Sequence, residues 1–197
     1  MVSGFGRSTH QQLLSLGREL AINSLPLGII NARMPSFSDL KFNYICKMKT
    51  IQIYTDGCSR GKPGKGGYGI VMKFNGKEKE ISEGFRKTTN NRMELLAVIV
   101  ALEKITTDKY PVEIYSDSKY VIDSITKEWV FNWVKNGFKG KKNEDLWRRF
   151  LKVESKFEIT YHWVKGHNGH PENERCDVLA VNASKSNLNI DEVYEKI

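Results

Sequence analysis

The sequence predicts an α/β fold: a five-stranded mixed sheet, three antiparallel then parallel strands, with helices on both faces. Two observations predict it. Three runs of strand-like alternation follow one another, with an Asn-Gly pair between the second and the third. Downstream, two short strand-like runs alternate with stretches of helical periodicity, the pattern of crossover connections into one sheet. With 197 residues, 40% of them hydrophobic, the chain is long enough for one domain of ordinary size and an additional segment.

Each element has its own warrant. TIQIYTD alternates like a strand and ends at Asp56, where a glycine-rich loop begins; GYGIVMKF and KEKEISEGF are the next two strands, joined at Asn75-Gly76. NNRMELLAVIVALEKI has helical periodicity, with Asn90 or Asn91 available as its cap. VEIYSD is a short buried strand, SKYVIDSI a helix, and KEWVFNWVKNGF a second helix broken near Gly137. NEDLWRRFLKVESK carries acids in its first turn and bases later, as the helix dipole prefers. EITYHWVK is the last strand, and PENERCDVLAVNASK the last long helix, opened by Pro171 at a compatible position. The polar residues 187–197 read as a loosely attached C-terminal tail, so the folded domain spans 48–186.

Residues 1–47 differ in character. Five basic residues against two acidic ones give this stretch +3 of the chain's net +8. LLSLGRELAI has the pattern of a short amphipathic helix, but Pro26 and Pro35 interrupt anything longer. The segment reads as an N-terminal extension without its own fold. Three readings stay open: an extension upstream of a natural start at Met48, an organelle transit peptide, or a small docking segment. The location expected is cytoplasmic, or an organelle if the transit reading holds. A basic balance, with pI near 9.3, favours an anionic partner such as nucleic acid. Three cysteines without C-x-x-C spacing argue against a disulfide framework or a zinc cluster. No apolar run approaches the roughly 18 residues that a membrane span needs.

The acids are the informative residues. Asp56 and Asp117 each end a strand, and if those strands are parallel neighbours both carboxylates emerge at one sheet edge, where open α/β sheets bind ligands. Glu94 lies one turn into an apolar helix, followed at i+3, i+4 and i+7 by Ala97, Val98 and Ala101. Asp177 is followed likewise by Ala180, Val181 and Ser184. Taken singly, each has a bland role as a turn, cap or dipole partner. Taken together, four inward-facing acids repel unless a cation joins them. Carboxylate oxygens without Cys or paired His ligands select Mg²⁺ or Mn²⁺ over zinc.

The motifs YTDG with GKPGKGGYG, TTNNRMEL, YSDSKYV and WVKGHNGHPENERCDVLA occur in this order, and together they resemble type 1 ribonuclease H from Met48 to about Lys185. The resemblance implies a ribonuclease H-like fold and an endonuclease that cuts the RNA strand of RNA–DNA hybrids. It implies two Mg²⁺ ions, replaceable by Mn²⁺, and 5′-phosphate and 3′-hydroxyl ends. It assigns Asp56, Glu94, Asp117 and Asp177 as metal ligands and His167 as the mobile catalytic histidine. Gly166 and Gly169 give His167 a flexible loop, which suits a proton shuttle near the departing 3′-oxygen. His170 reads as structural and His162 as half-exposed.

Further residues follow from the same resemblance. Cys58, Asn90 and Asn91 become candidates for the minor groove, where RNA 2′-hydroxyls lie. Thr89 and Asn143 match positions that hold a DNA-strand phosphate. Lys119 is a further substrate-binding candidate. It stands where some relatives carry Gln, and Lys62 where relatives often carry Asn, departures that keep phosphate affinity but change what can contact a base edge or a 2′-hydroxyl. Residues 127–142 match a basic protrusion: Trp129 and Trp133 lie four apart beside Lys139, Lys141 and Lys142, a combination that suits a DNA-strand groove, with core packing as the other reading of the tryptophans. A monomer without an obligate protein partner is expected. Two other classes compete. A transposase or integrase domain would usually lack the protrusion and the GHNGHPENERCD run, and a non-catalytic hybrid-binding protein would have lost an acid.

Overall fold

The structure is a computed structural model and describes residues 49–196; the expectations for residues 1–47 lie outside it. Strands β1 (Ile51–Gly61), β2 (Gly64–Phe74) and β3 (Lys77–Thr88) form an antiparallel meander. Helix α1 (Asn90–Glu103) leads to β4 (Val112–Ser116), followed by α2 (Lys119–Thr126), α3 (Trp129–Lys135) and α4 (Glu144–Glu154). Then come β5 (Ile159–Trp163), α5 (Pro171–Ala183), β6 (Leu188–Asn189) and α6 (Glu192–Glu195). The sheet order is β5-β4-β1-β2-β3-β6, with β4 parallel to β1, β5 parallel to β4 and β6 parallel to β3. No helix among the described residues is long and apolar enough to cross a membrane.

Alternation along β1 divides its side chains between two layers. Ile51 and Ile53 join the larger core with α1, α2 and α4, where Trp147 and Phe150 are fully buried. Tyr54 turns to the other face, against Val71 and Cys176 of α5. The apolar stripe expected on α1 is present: Ala97, Val98 and Ala101 are completely buried. Asn75 and Gly76 both adopt positive φ and close the β2–β3 hairpin as predicted.

Four expectations need correction. The sheet has six strands, not five, because β6 pairs with β3 at Gly84 and Phe85. The tail from Asn187 is therefore not loose: Asp191 caps α6 and pairs with the buried Arg92. The glycine-rich stretch after Asp56 is not a loop either. Strand β1 continues to Gly61 and β2 begins at Gly64, leaving only Lys62 and Pro63 as the connection. The glycines are there for packing: a Cβ on Gly69 would collide with the Cys176 carbonyl of α5. Thr89, rather than either asparagine, is the N-cap of α1.

Candidate active site

Strands β1 and β4 are parallel neighbours in a register that sets Thr55 opposite Ser116. Asp117 is the first residue beyond β4, and Asp56 lies beside it on β1, which runs on to Gly61 paired with β2. The two carboxylates therefore stand where β1 and β4 part, and Asp56 is not the strand end that the sequence suggested. Asp56 follows Tyr54 on the α5 side by alternation, which brings Asp177 of α5 into its field; Glu94 comes in from α1. The approach of α1 depends on Gly57, because a Cβ there would run into the backbone of Met93 and Glu94. A residue without a side chain beside Asp56 is what lets the start of α1 sit against the strand.

The electrostatics show the convergence. Burial, then the charges of Asp117, Asp177 and Glu94, push the Asp56 carboxyl up to about 8, although the Gly57 N–H donates to it at 2.7 Å. Burial also pushes the Glu94 carboxyl up, helped by Asp117 and opposed by donors from Ser118 and Asn90. Those donors are close: Ser118 Oγ and Asn90 Nδ2 both lie 2.5 Å from Glu94 oxygens. Asp117 is fixed from three directions. Asn173 Nδ2 stands 3.4 Å from Oδ2, Trp163 Nε1 donates to its carbonyl at 3.0 Å, and Gly166 leaves no room for a Cβ beside the carboxylate.

Among the described residues no three acids, histidines or cysteines close into a cage by themselves. An open set of carboxylate oxygens, one of them costly to ionise, nevertheless fits hard divalent cations, which keep water and substrate oxygens in the rest of their shell. The set offers neither the thiolates nor the paired imidazoles of a zinc site.

His167 is exposed, with φ +50°, in the loop between β5 and α5. The other two histidines nearby are structural. His162 stacks on Tyr115 at 4.6 Å, and His170 caps α5 with its ring 5.4 Å from Tyr54.

The remaining candidates divide into two groups. Cys58 is half-buried on β1 and Thr89 half-buried at the N-cap of α1, while Asn91 is exposed beside it. Asn90 is already engaged with Glu94. Asn143 caps α4 with φ +61°, and its amide donates to the Tyr120 hydroxyl at 3.1 Å. Lys119 lies 4.9 Å above the Trp163 ring. On the protrusion, Lys139, Lys141 and Lys142 are exposed. The two tryptophans part company: Trp129 is 44% exposed with Lys127 above it, whereas Trp133 packs edge-on against the buried Trp147. Only Trp129 is an open aromatic face; Trp133 belongs to the core, though Lys141 still reaches its ring at 5.1 Å. Sequence reasoning missed Ser118, Asn173 and Trp163, whose roles depend on contacts 24 to 56 residues away.

Comparison with known proteins agrees with this arrangement. The RNase H family model matches residues 48–185. A ribonuclease H of Rippkaea orientalis is 53% identical over 153 residues, 75% of this chain and 93% of the relative. One from Desulforamulus reducens is 52% identical over 155 residues, 76% of this chain and 97% of the relative. Among solved structures, LC9-RNase H1, a type 1 RNase H with the type 2 active-site motif, superposes with a TM-score of 0.61 at 29% identity, over 70% of this chain and 72% of that one. The N-terminal RNase H domain of a Mycobacterium tuberculosis protein gives 0.55 at 27% identity, over 69% and 94%. The six-stranded α/β fold, the acids gathered where β1 and β4 part and these matches have one conclusion: the chain belongs to the ribonuclease H family, a family of endoribonuclease hydrolases.

Proposed function

We propose that this protein hydrolyses the RNA strand of RNA–DNA hybrids endonucleolytically, leaving 5′-phosphate and 3′-hydroxyl ends. The observation that carries the reading is the field around Asp56, a buried carboxyl raised to about 8 by burial and by three other acids in a chain of net charge +8. Such an arrangement is costly alone and is explained by cations shared between the acids. Asp56, Glu94, Asp117 and Asp177 would hold two Mg²⁺ ions, or Mn²⁺ in their place. When bound, the ions supply an activated water and neutralise charge on the departing oxygen.

The chain's own residues do the rest. Ser118 and Asn90 hold Glu94, while Asn173 and Trp163 orient Asp117, so the acids are set before substrate arrives. His167, exposed on its loop, would hand a proton to the 3′-oxygen as the P–O3′ bond breaks and the water oxygen bonds to phosphorus. Cys58, Asn90 and Asn91 would meet RNA 2′-hydroxyls, with Thr89 and Asn143 at the DNA-strand phosphate. Trp129 and the three protrusion lysines would follow the DNA backbone. The enzyme is read as a cytoplasmic monomer.

The test is cleavage of one sequence presented as RNA–DNA hybrid, double-stranded RNA and double-stranded DNA, with and without Mg²⁺. The expected outcome is Mg²⁺-dependent cutting of the hybrid alone. Comparable rates on plain DNA would overturn the reading.

A further inference from the structure

Arg92 stands two residues before Glu94 and is only 2% exposed, yet nothing in the proposed chemistry uses its charge. Its guanidinium grips two carboxylates. Nη1 and Nη2 donate to Asp145 at 2.9 and 2.8 Å, and Nε and Nη2 donate to Asp191 at 2.8 and 3.0 Å. The Tyr194 ring lies 5.0 Å from Cζ. Three parts of the chain meet here: the first turn of α1, the first turn of α4 and the C-terminal segment.

Two of these carry the candidates for the DNA-strand phosphate. The Thr89 carbonyl accepts from the Arg92 and Met93 amides at 3.1 Å, so Thr89 and Arg92 move as one turn. Asn143 caps the helix in which Asp145 is the second residue, and its carbonyl accepts from Trp147. The bidentate Arg92–Asp145 pair is therefore a rigid spacer between Thr89 and Asn143, residues from separate elements that the proposed function assigns to one DNA-strand phosphate. The C-terminal segment sets the spacer. Asp191, 9% exposed, takes the remaining side of the guanidinium, and the segment is anchored on β3 by β6 and by the Arg86–Glu195 pair.

Stability alone explains this junction poorly. Arg92 and Asp191 are buried and Asp145 half-buried, so the junction carries a desolvation cost that an apolar cluster of the same volume avoids. Its paired hydrogen bonds fix the direction as well as the distance between the three segments. We infer that the Arg92–Asp145–Asp191 junction is a positioning device for the DNA strand of the substrate, by which the C-terminal segment sets the distance between Thr89 and Asn143. The inference rests on the hybrid-cleaving reading above and adds to it Asp191, a residue 99 positions beyond the Arg92 that it holds.

The test is steady-state cleavage of hybrids in which one DNA-strand phosphate at a time is replaced by a neutral methylphosphonate, using the full chain and Asp191→Asn. The wild type is expected to lose affinity sharply at one position. Asp191→Asn is expected to raise KM several-fold on the normal hybrid, leave kcat within twofold, and respond much less to the neutral linkage at that position only. Asp145→Asn, which leaves the tail's grip on Arg92 in place, is expected to behave alike, so misfolding of one variant does not decide the matter. If both variants and the neutral linkage multiply their effects independently, or if kcat falls with KM unchanged, the inference is overturned. If the wild type leaves every hybrid intact, the proposed function itself is wrong.

Discussion

Asp56 is where burial and charge conflict most. It is 8% exposed, it lies beside three other acids, and its strongest protein donor is a single backbone N–H from Gly57. In a metal-free protein this carboxyl works against folding, because the unfolded chain ionises it freely. Asp56→Asn keeps the shape and removes the charge. The expected result is loss of cleavage together with a higher melting temperature in chelator than the wild type. Mg²⁺ is expected to raise the wild-type Tm clearly and the variant's much less, since binding to the folded state alone stabilises it by mass action. Equal or lower Tm of the variant in chelator would show that the four acids do not act on one another. The four acids were legible one by one because each stands out locally: Asp117 just past β4, Glu94 and Asp177 on small-residue helix stripes, and Asp56 where an apolar run meets a glycine-rich one, although β1 itself continues to Gly61. Arg92 was not, because its partners are 53 and 99 residues away and nothing local distinguishes it from a solvated arginine.

At the scale of elements, local patterns were readable where one segment decides its own state. The Asn75-Gly76 hairpin, the stripe on α1 and Pro171 opening α5 all follow from neighbours in sequence. Strand β6 was not readable: two residues carry no periodicity, and they are a strand only because β3 offers an edge. The seven-residue helix α3 lies between these cases. Spacing put Trp129 and Trp133 together, but Val130 and Trp133 turn inward while Trp129 and Phe131 face solvent. The basic loop that follows remains exposed: Lys139, Lys141 and Lys142 are all open to solvent, Lys141 above the Trp133 ring, and far in sequence from the acids. On the proposed function its lysines would serve affinity rather than chemistry. Replacing all three with alanine is expected to raise KM several-fold at moderate salt, and each lost phosphate contact lowers the salt slope by roughly one unit or slightly less. Saturating kcat is expected to stay within a few-fold. A collapse of kcat at constant KM would mean that the loop shapes the active site instead.

The whole molecule combines two sets of carboxylates with opposite pH behaviour. At the Arg92 junction, burial pushes the Asp145 carboxyl up, but the bidentate guanidinium outweighs it and holds the group below its ordinary 3.8. An acid lowered by folding contributes stability above its unfolded value, and that contribution is lost as pH falls through the folded one. At the acid cluster where β1 and β4 part the sign reverses. Asp56 is raised from 3.8 to about 8 and Glu94 is raised in the same sense. Between those limits the folded state holds protons that the unfolded state has released, so stability falls as pH rises. The metal-free protein is therefore expected to be most stable in weak acid, near the ordinary carboxylate range, and to lose melting temperature steadily from about pH 4 to about pH 8. Divalent cations bind the ionised carboxylates and displace the retained protons, so Mg²⁺ is expected to flatten the descending limb and leave the acid limb in place. Thermal melts across this range, in chelator and in Mg²⁺, separate the two sets. Asp56→Asn is expected to flatten the same limb without metal, and Asp145→Asn to weaken the acid limb alone. A wild-type Tm in chelator that is level or rising between about pH 5 and 8 would show that the acids are already neutralised by the protein itself, and the argument for shared cations would lose its physical basis.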